Sequence, residues 1–290
     1  MSAMTARWAI LSDIHSNLEA LDAVLADATA QGAEKIAVLG DVIDYGPDPV
    51  ACIERVSAEA DVWLAGNHEE EAITPSDEQE PSGILEWSLL QLEDSPVWQG
   101  LRDRITASGA PALASQVFES IHFVHASAAR PTIQYVWPAH EVQYVVFNEH
   151  IDDRLTTFLD EFQALHGFNG HTHVPAVLTR YEHRKVFDPY QGIRRNHVHT
   201  FVGPHAIFFV PEAPCTLHEL GDVKMAVNVG SVGQPRRLGD NRASYVLYDG
   251  ATLEFRRVEY SWVRTAAKLA AIPFDEDQRK ELIERLERGI

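Results

Sequence analysis

The sequence predicts an α/β fold, and three observations carry the prediction. Apolar runs alternate with amphipathic stretches over the first 68 residues, the pattern of a βαβ-built sheet. Strand-like runs dominate from about residue 174 to residue 260. Five apolar runs end in Asp, Asn or His, and α/β sheets bind their ligands outside the carboxyl ends of strands.

In chain order, WAILSD (8–13) is the first strand-like run. In the stretch NLEALDAVLADATAQG that follows, Leu18, Leu21, Val24, Leu25 and Ala28 share one helical face. Ser16 or Asn17 can cap that helix, and Gly32 can close it. KIAVLGD (35–41) is a second apolar run, PVACIERVSAEA a second helix, and DVWLAGNH (61–68) a third run. Residues 69–83, EEEAITPSDEQEPSG, are acidic and aperiodic and read as a loop. ILEWSLLQLED reads as a helix, followed by a less regular segment to about residue 115. QVFESIHFVHA reads as two short strands around a turn, and NEHIDDRLTTFLDEFQAL as an amphipathic helix. HGFNGHTH is a short strand feeding a loop. VPAVLTRY, HTFVGPHAIFFV, KMAVNVG, ASYVLYDG and TLEFRRVEY are strands, with Asp249-Gly250 as a hairpin turn between the last two. SWVRTAAKLAA and DEDQRKELIERLERGI are helices separated by Pro273. The expected organisation is one domain over 1–260 with a helical or loop insertion at about 69–115, then a C-terminal helical extension over 261–290.

The totals exclude several classes. Of the 290 residues, 45% are hydrophobic and 23% charged, which fits a globular chain and not a disordered one. No apolar run approaches the roughly 20 residues of a membrane span, and no signal peptide is visible. The formal net charge of -19 argues against nucleic acid and anionic lipid as partners. It leaves room for a small phosphate substrate, because bound cations reverse the sign locally. Cys52 and Cys215 form no CxxC pair, so both are expected as buried small hydrophobes in a reducing cytoplasm. A monomer or small homo-oligomer is expected.

The chemistry collects at the strand ends. Asp13 and His15, Asp41, Asn67 and His68, His125, and His171 with His173 follow five different runs. Gly40, Gly66 and Gly170 each precede one of these residues and allow a sharp turn and a close approach. A set of nitrogen and oxygen donors without thiolate suits Mn, Fe, Co, Ni or Zn. Seven candidate ligands are too many for one catalytic zinc. They suit two metals about 3.5–4 Å apart with a bridging carboxylate, for which Asp41 is the central candidate. Residues i and i+2 of an extended segment lie about 7 Å apart on one side, so His171 and His173 can serve different ions.

DIHSN (13–17), GDVIDYGP (40–47), GNHE (66–69), His125 and GHTH (170–173) resemble, in order, the blocks of the calcineurin-like metallophosphoesterases. NVGSVGQPR (228–236) resembles a segment of the bacterial branch related to diadenosine tetraphosphatases and serine/threonine protein phosphatases. The resemblance covers roughly residues 7–250. It implies a four-layer α/β/β/α sandwich with two mixed sheets. It also implies one metal held by Asp13, His15, Asp41 and His173, and a second by Asp41, Asn67, His125 and His171. His68 would be the general acid, oriented by Asp44. The expected cofactors are two divalent transition-metal ions, Mn or Fe first, with Zn, Co or Ni as alternatives. The expected reaction is hydrolysis of a phosphate ester or nucleotide, such as a dinucleoside polyphosphate, by a water activated between the two ions. A nuclease of the same fold and a metal-dependent sensor or scaffold are the alternatives.

One departure concerns the substrate. Protein phosphatases of this superfamily carry Arg where this chain has Tyr45, which argues against a dedicated phosphoprotein phosphatase. Arg236 and Arg237 are either a replacement charge or surface residues. Asn17 either reaches the phosphate or caps the first helix, and Tyr135 and Trp137 either line a leaving-group pocket or pack in the core. The remaining nine histidines fit no ligand slot, and His197-Val-His199 reads as a strand face.

Overall fold

The computed structural model describes residues 6–74, 83–134, 151–183, 200–211 and 214–290. Its elements in chain order are β1 (Trp8–Leu11), α1 (Leu18–Ala30), β2 (Lys35–Val38), α2 (Pro49–Glu59), β3 (Val62–Trp63) and α3 (Asn67–Ile73). Next come α4 (Gly83–Leu92), α5 (Pro96–Ser108), α6 (Ala110–Leu113), β4 (Ser115–Phe118), β5 (Ile121–Val124), α7 (Ile151–Glu161), β6 (His166–Asn169) and β7 (Ala176–Arg180). The chain closes with β8 (Thr200–Val202), β9 (Ala206–Phe209), β10 (Cys215–Leu217), β11 (Met225–Asn228), β12 (Ala243–Tyr248), β13 (Leu253–Val258), α8 (Trp262–Ala270) and α9 (Glu276–Arg288).

The strands form two mixed sheets. One has the order β10-β13-β12-β1-β2-β3, the other β4-β5-β6-β11-β7-β9-β8. In the first, β1, β2 and β3 run parallel while β12 is antiparallel to β1. In the second, β5, β6 and β11 run parallel. Side chains alternate between the faces of a strand, and the cores follow that alternation. Along β1, Trp8 and Ile10 face the second sheet, where they join Phe123, Phe168 and Val227. Ala9 and Leu11 face the helices, with Leu21 and Val24 of α1 and Ile53 of α2. On the far face of the second sheet, Ala226, Leu178 and Phe208 meet Leu155 and Phe158 of α7. Helices, sheet, sheet and helix therefore make four layers, the sandwich that the motif pattern implied.

Several local expectations are corrected. Residues 69–73 are helical rather than loop, because α3 starts at Asn67. The third apolar run pairs only through Val62 and Trp63. The irregular segment before residue 115 contains α5, capped by Ser95 and burying Trp98, Leu101 and Ile105, a period that Gly100 partly hides. The short elements β10 and α6 carry too few residues to show a period. Cys52 is buried, but Cys215 is only half-buried, and neither forms a disulfide. Residues 75–82 of the expected loop, Tyr135, Trp137, His197 and His199 lie outside the described residues. Among the described residues, no helix is long and apolar enough to cross a membrane.

The chain's end packs against its beginning. Thr265 of α8 lies within hydrogen-bonding distance of Asn17 (3.1 Å) and Glu19 (3.0 Å). Lys268 bridges Glu19 and Asp48, each at 2.7 Å. A separate apolar cluster joins Leu269 of α8, Leu282 and Leu286 of α9 and Ile84 of α4, with Tyr45 packed against it.

Candidate metal centre

The carboxyl ends of β1, β2, β3, β5 and β6 converge on one rim between the two sheets. Backbone hydrogen bonds carry the ladders past the strand ends: Asp13 N donates to Gly40 O (3.1 Å), His15 N to Asp41 O (3.0 Å) and Gly170 N to His125 O (2.9 Å). The sheets are joined at the same place, where His171 N donates to the Asp13 carboxylate at 3.0 and 3.1 Å.

The turns at this rim are conformationally costly. Asp13, His15, Ser16, Asp41, Asp44, Tyr45, His171 and His173 all have φ between 47° and 70°. Asp and His tolerate the left-handed region better than most residues, yet each such residue costs on the order of 1 kcal/mol. Strain of this kind persists where the surroundings over-determine it. Two of the three preceding glycines do something different from turning. A Cβ on Gly66 would lie 2.1 Å from Asp41 Oδ1, and one on Gly170 would lie 1.9 Å from Ser12 Oγ. Both let strands approach within contact of the carboxylates, while the sharp turn after Gly170 belongs to His171.

Two groups of donors form, and Asp41 belongs to both. Asp13, His15, Asp41 and His173 offer ligand atoms within 4.8 Å of one another, and so do Asp41, His125 and His171. Asn67 Oδ1 joins the second group, 3.1 Å from His125 Nε2 and 2.8 Å from His171 Nδ1. All seven of these side chains except Asn67 are buried. The tautomers are set by backbone carbonyls, which can only accept. Nδ1–H of His15, His125 and His173 donates to Ile43 O (3.2 Å), Leu39 O (2.8 Å) and Gln234 O (2.8 Å), leaving Nε2 of each directed at the cluster.

This arrangement fits divalent cations. Burial, then the fields of His68 and His173, hold His15 well below the usual imidazole range; burial and then Arg236 do the same for His173. Both rings are therefore neutral, and their Nε2 lone pairs face each other at 3.1 Å. Such a contact is repulsive unless a cation lies between the nitrogens. Asp41 Oδ2 is buried and has no hydrogen-bond partner. It faces Nε2 of His125 at 3.3 Å and of His15 and His68 at 3.9 Å. An orphaned carboxylate oxygen among imidazoles is the donor a shared ion requires.

His68 stands apart from the two groups. Its Nδ1 donates to Asp44 Oδ2 at 2.8 Å, and its backbone N–H donates to Asp41 Oδ1 at 3.0 Å. Burial disfavours its charged form, but the Asp41 and Asp44 carboxylates outweigh burial and push its pKa up to about 10. The Tyr45 ring packs 4.7 Å from the His15 ring and 4.8 Å from the His68 ring.

The other expected substrate contacts divide. Asn17 is buried and its amide is used inside the fold: Oδ1 accepts from Ala20 N at 3.2 Å, and Nδ2 donates to Gly233 O at 3.0 Å. It is the cap of α1, one of the two roles its position allowed. Arg236 is half-buried and its field reaches both His173 and Tyr45. Sequence reasoning missed the supports. The Glu69 carboxylate is fully buried and accepts from Gly66 N (2.7 Å), Val42 N (2.8 Å), Asp41 N (3.0 Å) and Ile43 N (3.2 Å). Its signal was its place three residues after the Gly66 cap, where Glu reaches back to the helix start. Asn228 donates to Thr172 Oγ1 (3.0 Å) and Gly170 O, and Ser231 Oγ donates to Asp13 O (2.8 Å). Both lie in NVGSVGQPR, which marked the segment but not their roles.

The chain is similar to known proteins over most of its length. An uncharacterized protein of Methanocaldococcus jannaschii is 28% identical over 270 residues, 90% of each chain. The crystal structure of a metallophosphoesterase from Sphaerobacter thermophilus is similar at a TM-score of 0.70 and 28% identity, covering 98% of this chain and 99% of that one. A hypothetical protein of Pyrococcus horikoshii shares the fold at a TM-score of 0.56 and 16% identity, over 98% of both chains. The sequence profile of the calcineurin-like phosphoesterases matches residues 6–175, more than half of the chain and all of the strand ends that meet at the rim. The protein belongs to the calcineurin-like phosphoesterase family.

Proposed function

We propose that the protein is a dinuclear-metal phosphoesterase that hydrolyses a phosphate ester or nucleotide. The observation that carries this reading is the pair of donor groups sharing Asp41. Asp13, His15, Asp41 and His173 would hold one ion, and Asp41, Asn67, His125 and His171 the other. When bound, the ions would lower the pKa of a water and stabilise charge on the phosphate oxygens. Manganese or iron suits the donor set first, with zinc, cobalt or nickel as alternatives.

The chain's own residues supply the rest. His68 is placed to protonate the departing oxygen, with its tautomer held by Asp44. Its proton is held tightly by two carboxylates, and neutralising Asp41 with bound cations would remove one of those pulls. That moves the imidazolium toward the range where it can both carry and release a proton. Arg236 attracts the anionic substrate to a protein whose net charge of -19 repels it elsewhere. Tyr45 walls the site beside His15 and His68 and takes the place of a phosphate-clamping arginine. In this reading residues 1–260 form the phosphoesterase domain, and the helices within about 69–115 are its insertion. The paired absence of CxxC and of a disulfide is in keeping with a cytoplasmic protein.

The test is hydrolysis of p-nitrophenyl phosphate and bis(p-nitrophenyl) phosphate by protein reloaded with Mn, Fe, Zn, Co or Ni. Metal-dependent turnover of at least one ester is expected. Bound metal with no turnover on either, or on nucleotides, would replace the enzyme with a metal-dependent scaffold.

A further inference from the structure

We infer that the C-terminal helices position the proton donor: α9 holds the Tyr45 ring against His68, which makes Tyr45 a positioning residue for protonation of the leaving group. The inference rests on the phosphoesterase reading and deepens it.

Tyr45 and His68 share one carboxylate. Asp44 Oδ1 accepts from Tyr45 N at 2.7 Å, while Oδ2 accepts from His68 Nδ1 at 2.8 Å. The Tyr45 ring meets the His68 ring edge-on at 4.8 Å and lies 4.7 Å from the His15 ring. A single hydrogen bond at Nδ1 fixes one atom of an imidazole and leaves the ring free to tilt. A second ring packed beside it removes that freedom and fixes where Nε2 points.

The turn that presents Tyr45 needs outside support. Asp44 and Tyr45 have consecutive φ angles of 70° and 61°. Left-handed backbone is unfavourable for a bulky side chain and persists where the surroundings over-determine it. The C-terminal helices supply those surroundings. Tyr45 packs against the cluster of Leu269, Leu282 and Leu286. The crevice among these leucines, Tyr45 and His15 has a volume of only about 10 Å³, room for a single water. Lys268 of α8 pairs at 2.7 Å with Asp48, which follows Tyr45 by three residues. The end of α9 is anchored in turn. Asn241 Nδ2 donates to Leu286 O at 3.0 Å and Glu287 O at 3.2 Å, and Gly239 N donates to Arg288 O at 2.8 Å. A Cβ on Gly289 would lie 2.6 Å from the carbonyls of Arg237 and Asp240, so the helix end lies directly on that loop.

The experiment compares kcat of Mn-loaded protein on two esters. p-Nitrophenyl phosphate has a leaving group that departs with little help from a proton, and phenyl phosphate has one that needs it. If only diesters are turned over, bis(p-nitrophenyl) phosphate and diphenyl phosphate form the pair. Tyr45→Ala and Leu286→Ala are each expected to lower kcat on phenyl phosphate about ten-fold more than on p-nitrophenyl phosphate, with metal content unchanged. Tyr45→Phe keeps the ring and should stay within about two-fold of wild type on both. In a His68→Ala background the selective loss should vanish, because no acid is left to position. Equal loss on both esters, no loss on phenyl phosphate, or a selective loss that persists without His68 overturns the positioning role and leaves the phosphoesterase reading in place. Bound metal with no turnover of any of these esters or of nucleotides overturns both. If the alanine variants do not fold, Tyr45→Leu and Leu286→Val fill more of the space and carry the same direction of effect.

Discussion

Asp41 Oδ2 and His68 are 3.9 Å apart and have different surroundings. The oxygen is buried without a hydrogen bond among three imidazoles, whereas the His68 ring is tied to Asp44. Substitutions at the two positions should therefore separate metal binding from turnover. Asp41→Asn removes the charge shared by both donor groups and is expected to lose metal and activity together. His68→Ala is expected to keep its metal while kcat falls about 10²- to 10⁴-fold, the usual loss for a general acid. Metal content by mass spectrometry beside kcat decides between them, and equal metal loss in both variants would contradict the division of roles.

At the scale of elements, α3 and the loop after β2 depend on one carboxylate. Glu69 accepts four backbone N–H groups, three from the loop that carries Asp41 and Asp44 and one from the start of α3. Its burial and the neighbouring Asp41 charge raise its pKa, so the backbone donors are what hold it there. Glu69→Ala would leave those donors buried without partners and is expected to cost about 3 kcal/mol. Urea denaturation of metal-free protein measures this directly; a change under about 0.5 kcal/mol, the scale of an ordinary surface substitution, would mean that the loop repacks without it. The residue was printed in plain view in GNHE, but the run of acidic residues behind it reads as a solvated loop. Its role depends on a contact 28 residues back along the chain.

At the scale of the whole molecule, the candidate metal centre is where the two sheets are joined. Asp13 and Asp41 come from the first sheet's loops, and His125, His171 and His173 from the second sheet's. Cations bound there would tie the layers together, and binding to the folded state alone adds stability by mass action. At free metal about a thousand times Kd the gain is about 4 kcal/mol. Differential scanning fluorimetry should show a melting temperature raised by roughly 10 °C with metal. A chelator should reverse the shift, and Asp41→Asn should not show it. An unchanged melting temperature in wild-type protein at saturating metal would mean that the sheets are not coupled through this centre.

The sequence by itself pointed to an α/β chain and to the candidate ligand residues, because both are written locally, whereas the two-sheet sandwich was what the family resemblance implied. A strand shows its period within a few residues, and each ligand stands just after the strand that aims it, as Asp41 follows KIAVLG and His171 follows HGFNG. The tie of Asn17 to Thr265 and the four-fold grip of Glu69 were decided only in three dimensions. So was the docking of α9 against Tyr45 and the Arg236 loop. Those features rest on pairings between distant segments, such as Asn17 with Thr265 and Asn241 with Leu286. Hydrogen bonds and close contacts between distant segments leave no period in the chain; they exist only once the layers have packed.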